Sequence, residues 1–150
     1  MRFNVMFILR RQGLKNQGME QVIIGDKAAA ELRELLGALY FELPNQDDGD
    51  HKAVKALLKS IQDLTEKRNT LLHSCWNLGT EAAKEEFEAY AIRFRRKQNQ
   101  GAVPEVPSYS ASKVNEFRQE AIRIQVLLGR LQYCVCQSGF KVCKEFGRSM

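Results

Sequence analysis

This chain of 150 residues is poor in the groups from which metal sites and secreted frameworks are built. It has only two histidines, His51 and His73, and its four cysteines, Cys75, Cys134, Cys136 and Cys143, include no C-x2-C pair. Structural zinc sites use such pairs with matching partners, so neither a metal nor another cofactor is expected. The thiols read instead as small apolar residues on a late helical segment, in a reducing, cytoplasmic setting. Long apolar runs are also missing. None approaches the ~20 residues needed to span a bilayer, and the apolar start of "MRFNVMFILRRQG" is short, contains Asn4 and meets Arg10 and Arg11 in place of a small-residue cleavage site. A soluble protein with no membrane partner is expected. No strong excess of one charge exists either: 23 basic against 18 acidic residues leave +5 and an isoelectric point near 9.1. That is a mild bias toward polyanions.

Apolar residues make up 44% and charged residues 27% of the chain, the balance of a folded domain rather than a disordered tail. The length suits one domain, residues 1–150, with a core of its own. No internal repeat interrupts it. Residues 2–19 read as a short first helix whose far end is weakened by Gly13 and Gly18. A second helix starts after Asp26 as N-cap, carries Ala29, Leu32, Leu35, Leu36 and Leu39 at helical spacing, and stops at Pro44. A third is expected from about Asp50 to Trp76, with Val54, Leu57, Leu58, Ile61, Leu64, Leu71, Leu72, Cys75 and Trp76 as its apolar stripe, broken at Gly79. The alternation of Tyr90, Ile92 and Phe94 suits a strand, and "QNQGAVPEVPSYSAS" suits an irregular returning strand, making a β-excursion over about 86–108. A last helix begins at Ser110 or Ser112 and runs until about Gly139. The fold class is mainly α, a helical bundle with a small β-hairpin excursion before its last long helix.

One position breaks the pattern. The seat between Leu64 and Leu71 in the apolar stripe belongs to Arg68, which at ~100° per residue points along nearly the same direction as Leu57, Ile61 and Cys75. Asn69 and His73 stand one turn apart beside it. A desolvated guanidinium costs several kcal/mol unless it is paired. An acid such as Glu31, Glu34, Glu116 or Glu120 could neutralise it as a structural ion pair, or the seam could open into a water-filled cleft. Chemically, a histidine can move a proton at a 2′-hydroxyl or leaving oxygen. An arginine can clamp a phosphate, and an asparagine can orient either group. These are the needs of metal-free RNA cleavage.

Arg68 to His73, "RNTLLH", resembles the R-[polar]-x-x-x-H motif of the HEPN superfamily, and "LTEKRNTLLHSCW" is similar to a bacterial branch in which the motif closes a long helix. The resemblance implies a HEPN-like α-helical bundle and a homodimer whose motif helices meet across a cleft. It also implies a metal-independent endoribonuclease, toxin or defence related, with an antitoxin or other partner protein. Arg68 and His73 would be the catalytic pair and Asn69 their polar support. The alternative is a non-catalytic helical-bundle dimer that binds a nucleotide, RNA or a partner protein. The basic run "RFRRKQ", with Arg93, Arg95, Arg96 and Lys97, could guide an RNA backbone; a solvated strand face is its plainer reading.

Overall fold

The computed structural model describes residues 1–79, 88–97, 101–105, 108–137 and 141–147; for Gln17, for residues 77–79, 88–91, 93–97 and 101–105 and for Ser108 it describes the backbone alone. The chain is mainly helical. Among the described residues six helices appear in the order α1 (Arg2–Arg11), α2 (Gln17–Ile24), α3 (Ala29–Phe41), α4 (Asp48–Leu72), α5 (Ala111–Cys136) and α6 (Val142–Gly147). Strands β1 (Cys75–Gly79), β2 (Glu88–Lys97), β3 (Gly101–Glu105) and β4 (Ser108–Tyr109) lie between α4 and α5. No described helix is long and apolar enough to cross a membrane.

The chain divides into two compact units, one of Met1–Gln62 with Ile122–Met150 and the other of Asp63–Ala121. In the first, α1 buries Asn4, Val5 and Ile8. Asn4 escapes the cost of a buried amide by donating to the Leu128 carbonyl at 2.8 Å. The single helix expected over 2–19 is in fact two. Gly13 takes a left-handed backbone, φ 99°, which an L side chain adopts only with strain, and so it separates them. Asn16 then starts α2 by accepting from the Gly18 and Met19 amides. The expected cap at Asp26 is also corrected. The helix begins at Ala29, and its own Glu31 reaches back to the Ala28 amide at 2.8 Å. Leu32, Leu36 and Tyr40 of α3, Val54, Leu57 and Ile61 of α4, and Ile124, Leu131 and Val135 of α5 are all buried. Gly37 brings α3 and α4 close, since a Cβ there would stand 3.0 Å from Leu58 Cδ1.

In the second unit, the alternating run around Ile92 forms β2. Its first part pairs antiparallel with β1, from Cys75↔Ile92 to Gly79↔Glu88. Its last part pairs with β3, from Arg93↔Glu105 to Lys97↔Gly101, and β4 pairs with Ala89 and Tyr90. Pro104 sits on β3, an edge strand, where a missing amide hydrogen is tolerated. Of the expected excursion, residues 86–87, 98–100 and 106–107 lie outside the described part. Ser110 caps α5 as expected, its hydroxyl accepting from the Lys113 amide at 3.2 Å. Helix α6 was not anticipated.

Candidate functional site

The expected helix to Trp76 ends four residues early, at Leu72, and side chains explain why. The last carbonyls of a helix have no partner within it. Here the Asn69 carbonyl accepts from the His73 amide at 3.0 Å, the Thr70 carbonyl from the Ser74 hydroxyl, and the Leu71 carbonyl from the Trp76 indole at 2.8 Å. Trp76 can reach back only because the chain has left the helix, whereas the Ser74 hydroxyl bonds four residues back as it could within one. Cys75 and Trp76 then open β1. They therefore do not extend the apolar stripe, as expected of them. Trp76 also packs on Tyr109, centroids 5.5 Å apart, and Tyr109 on Phe117 at 6.1 Å. This aromatic row anchors the strand end against α5.

Arg68 is not sealed in the core. It is exposed, and its Nη1 donates to Asn69 Oδ1 at 3.4 Å. None of the acids considered for it is its partner. Glu120 instead holds Lys67 Nζ at 2.6 Å, Glu31 caps α3, Glu34 lies 3.9 Å from Arg33, and Glu116 is exposed. The reason lies in the rest of the stripe. Val54, Leu57 and Ile61 are buried, whereas Leu64 and Leu71 are only half covered. Along this part of α4 the apolar face borders an open groove of about 350 Å³ shared with α5, lined by Leu64, Arg68, Leu71, Val114, Phe117 and Arg118 among others. A guanidinium at such a wall stays hydrated while its stem covers apolar surface.

The three motif residues are thus partly assembled. Arg68 and Asn69 touch, and His73 follows on the turn after Asn69, exposed at the helix end. Arg68 alone of the three lines the groove. Arg93, Arg95, Arg96 and Lys97 lie on β2 opposite Glu105, Val103, Ala102 and Gly101; their side chains are outside the described part. Cys75 and Cys136 are exposed, so the reading of all four thiols as buried apolar groups holds for Cys134 alone, with Cys143 half buried.

A second polar cluster escaped the sequence reading. Asp47, Asp50 and Cys143 bring potential metal-ligand atoms within 4.8 Å of one another. The fully buried Asp50 accepts from the Cys143 amide at 2.9 Å, and Asp47 caps α4 through the Asp50 amide at 2.8 Å. Between the carboxylates lies the Lys141 ammonium, 3.3 Å from Asp47 and 3.5 Å from Asp50. That amine already stands where a cation would neutralise both acids, so the cluster is a fastening of α6 to the start of α4. Its electrostatics agree. Hydrogen bonds from the Asp50 amide and from Lys141 hold the Asp47 carboxyl below the usual range. Burial works against the Lys141 charge, but the Asp47 hydrogen bond and charge outweigh it and raise its pKa. Burial, reinforced by Asp50, pushes the Cys143 thiol up and makes it a poor nucleophile. Nothing in the spacing of residues 47, 50, 141 and 143 could have announced this contact.

No family model matches the chain, and no curated protein or solved structure is detectably similar to it.

Proposed function

We propose that this protein is a metal-independent, HEPN-like endoribonuclease acting at the end of α4, in a homodimer that brings two motifs to one cleft. The observation that carries the reading is Arg68: a guanidinium with no carboxylate partner among the described residues, steadied by Asn69 and one turn from a solvent-reachable histidine. An RNA phosphodiester would bring the missing negative charge. In the cleavage step a 2′-hydroxyl attacks the adjacent phosphorus, its proton passing to a base, while the bond to the 5′-oxygen breaks and that oxygen takes up a proton. The products are a 2′,3′-cyclic phosphate and a 5′-hydroxyl. His73 supplies one proton transfer and the same histidine of a second copy the other. Arg68 offsets the charge that grows on the phosphoryl oxygens. Leu72 and Trp76, 59% and 41% exposed, give the helix end an apolar edge for the second copy. No metal ion is needed for any of these steps.

Purified protein should cut single-stranded RNA in EDTA and leave cyclic phosphate ends. His73→Ala should lose about 10²–10⁴-fold in rate, the usual worth of a general acid or base. Equal cleavage by His73→Ala removes this reading.

One observation favours the non-catalytic alternative, a module that binds RNA or a partner without turnover. Arg68 faces the groove in company with Arg118, whereas Asn69 and His73 do not line it. Under that reading Arg68→Ala weakens binding and no cleavage product forms with any RNA.

A further inference from the structure

The groove between α4 and α5 has a regular plan. On α4 its wall reads Leu64, Arg68, Leu71; on α5 it reads Val114, Arg118, Ala121. Both are i, i+4, i+7 series, one helical face each, and both place an arginine between two apolar residues. Phe117 lies on the floor, under the Lys67 ammonium at 5.2 Å. Lys67 is itself tied to Glu120, which fixes α4 to α5 at this level. No carboxylate among the described residues answers Arg68 or Arg118. Val114 is 45% exposed, a large apolar side chain left at the groove's mouth.

Two apolar helix faces with an open furrow between them are the seat of a third helix. We propose that this groove docks an acidic amphipathic helix of a partner protein, with apolar residues at i and i+7 meeting the two ends and a Glu or Asp at i+3 or i+4 meeting Arg68 and Arg118. Helix-in-groove recognition uses such anchor spacing, and the arginines choose the sign of charge. A second copy of the same face is the wrong occupant. Its matching face offers arginines and, among the described residues, no carboxylate, so it would leave Arg68 and Arg118 without a counter-charge. In the proposed RNA cleft, by contrast, the substrate phosphate supplies the negative charge between the two motifs. The inference does not depend on RNA cleavage. It uses Arg118, which has no part in that chemistry, and a protein inert toward RNA would still bind the helix.

The test uses the full chain and a designed, end-blocked helical peptide with leucines at i and i+7 and glutamates at i+3 and i+4 on the same face. Fluorescence anisotropy reads the affinity and amide chemical shifts locate the site. The acidic peptide should bind at least tenfold more tightly than its Gln and Lys counterparts, with shifts centred on 64–71 and 114–121. Arg118→Glu, an exposed substitution checked by circular dichroism, should weaken the acidic peptide at least tenfold and restore the Lys peptide. Equal binding of all three peptides, unchanged binding by Arg118→Glu, or shifts elsewhere overturn the proposal. So does saturation of the same residues by laurate with no peptide bound, which assigns the groove to a small amphiphile, or a concentration-dependent dimer that protects 114–121 and excludes the acidic peptide, which assigns the groove to a second copy.

Discussion

The two compact units show different kinds of contact among the described residues. Among the described residues, every buried apolar side chain except Tyr109 belongs to the unit of Met1–Gln62 and Ile122–Met150. There helix faces close on one another, and even the polar members, Asn4, Glu20 and Asp50, are bonded inside. In the unit of Asp63–Ala121 the contacts among the described residues are backbone pairing of the strands and the row Trp76, Tyr109, Phe117. Its helix faces stay half covered, and the candidate motif and the basic groove both lie in it. Burial of apolar area is the main source of folding free energy, and the described helix faces of the first unit supply it by closing on one another. The second keeps the reachable arginines, and a site needs such access more than it needs a core.

Four measurements would break or sharpen this contrast. The largest effect is expected from Leu36→Ala, a fully buried side chain of the first unit, which should cost about 2–5 kcal/mol in urea unfolding. A cost below 1 kcal/mol would show the site to be no core. Next comes acid. The Arg10 hydrogen bond holds the Glu20 carboxyl below its ordinary pKa, as the Asp50 amide does for Asp47. Unfolding raises both back toward about 4, so the unfolded chain binds more protons in that window. Their stabilisation is complete above it and is lost as pH falls through the lowered native values. The urea midpoint should drop between pH 7 and pH 3, and Asp47→Asn should flatten that drop. Third, native-state hydrogen exchange should open the β1–β2 amides at a lower free energy than those of Val54–Ile61. Similar protection in both would make the two units equally firm. The smallest effect should come from Lys67→Met. Its pair with Glu120 is partly exposed, worth about 0–1 kcal/mol, so the midpoint should barely move.

Much of the helical part was legible in the chain. The stripe Val54, Leu57, Ile61 and the Ser110 cap are local patterns, and they turn up where period and hydrogen-bonding chemistry place them. The errors sit where a distant or later residue overrides the local pattern. Trp76 fits a helical stripe, yet its indole is worth more as a donor to the Leu71 carbonyl. Asp26 fits a cap, yet Glu31 does that work from within the helix. For the candidate site, the sequence singled out Arg68, Asn69 and His73 and left open whether Arg68 meets an internal acid or an open cleft; its exposure is seen only in the structure. Periodicity tells which way a side chain points along its helix; it does not tell whether anything lies over it.

The order of residues alone determined that the segments around 32–40, 54–61 and 114–135 coil into helices and that an arginine interrupts an apolar face, because both depend on neighbours within a turn or two. Only the tertiary structure decided that the face is open, that Arg118 stands in a matching position on α5, and that Lys141 closes the Asp47–Asp50 cluster. Exposure and charge pairing depend on groups far apart along the chain, and packing alone brings those together.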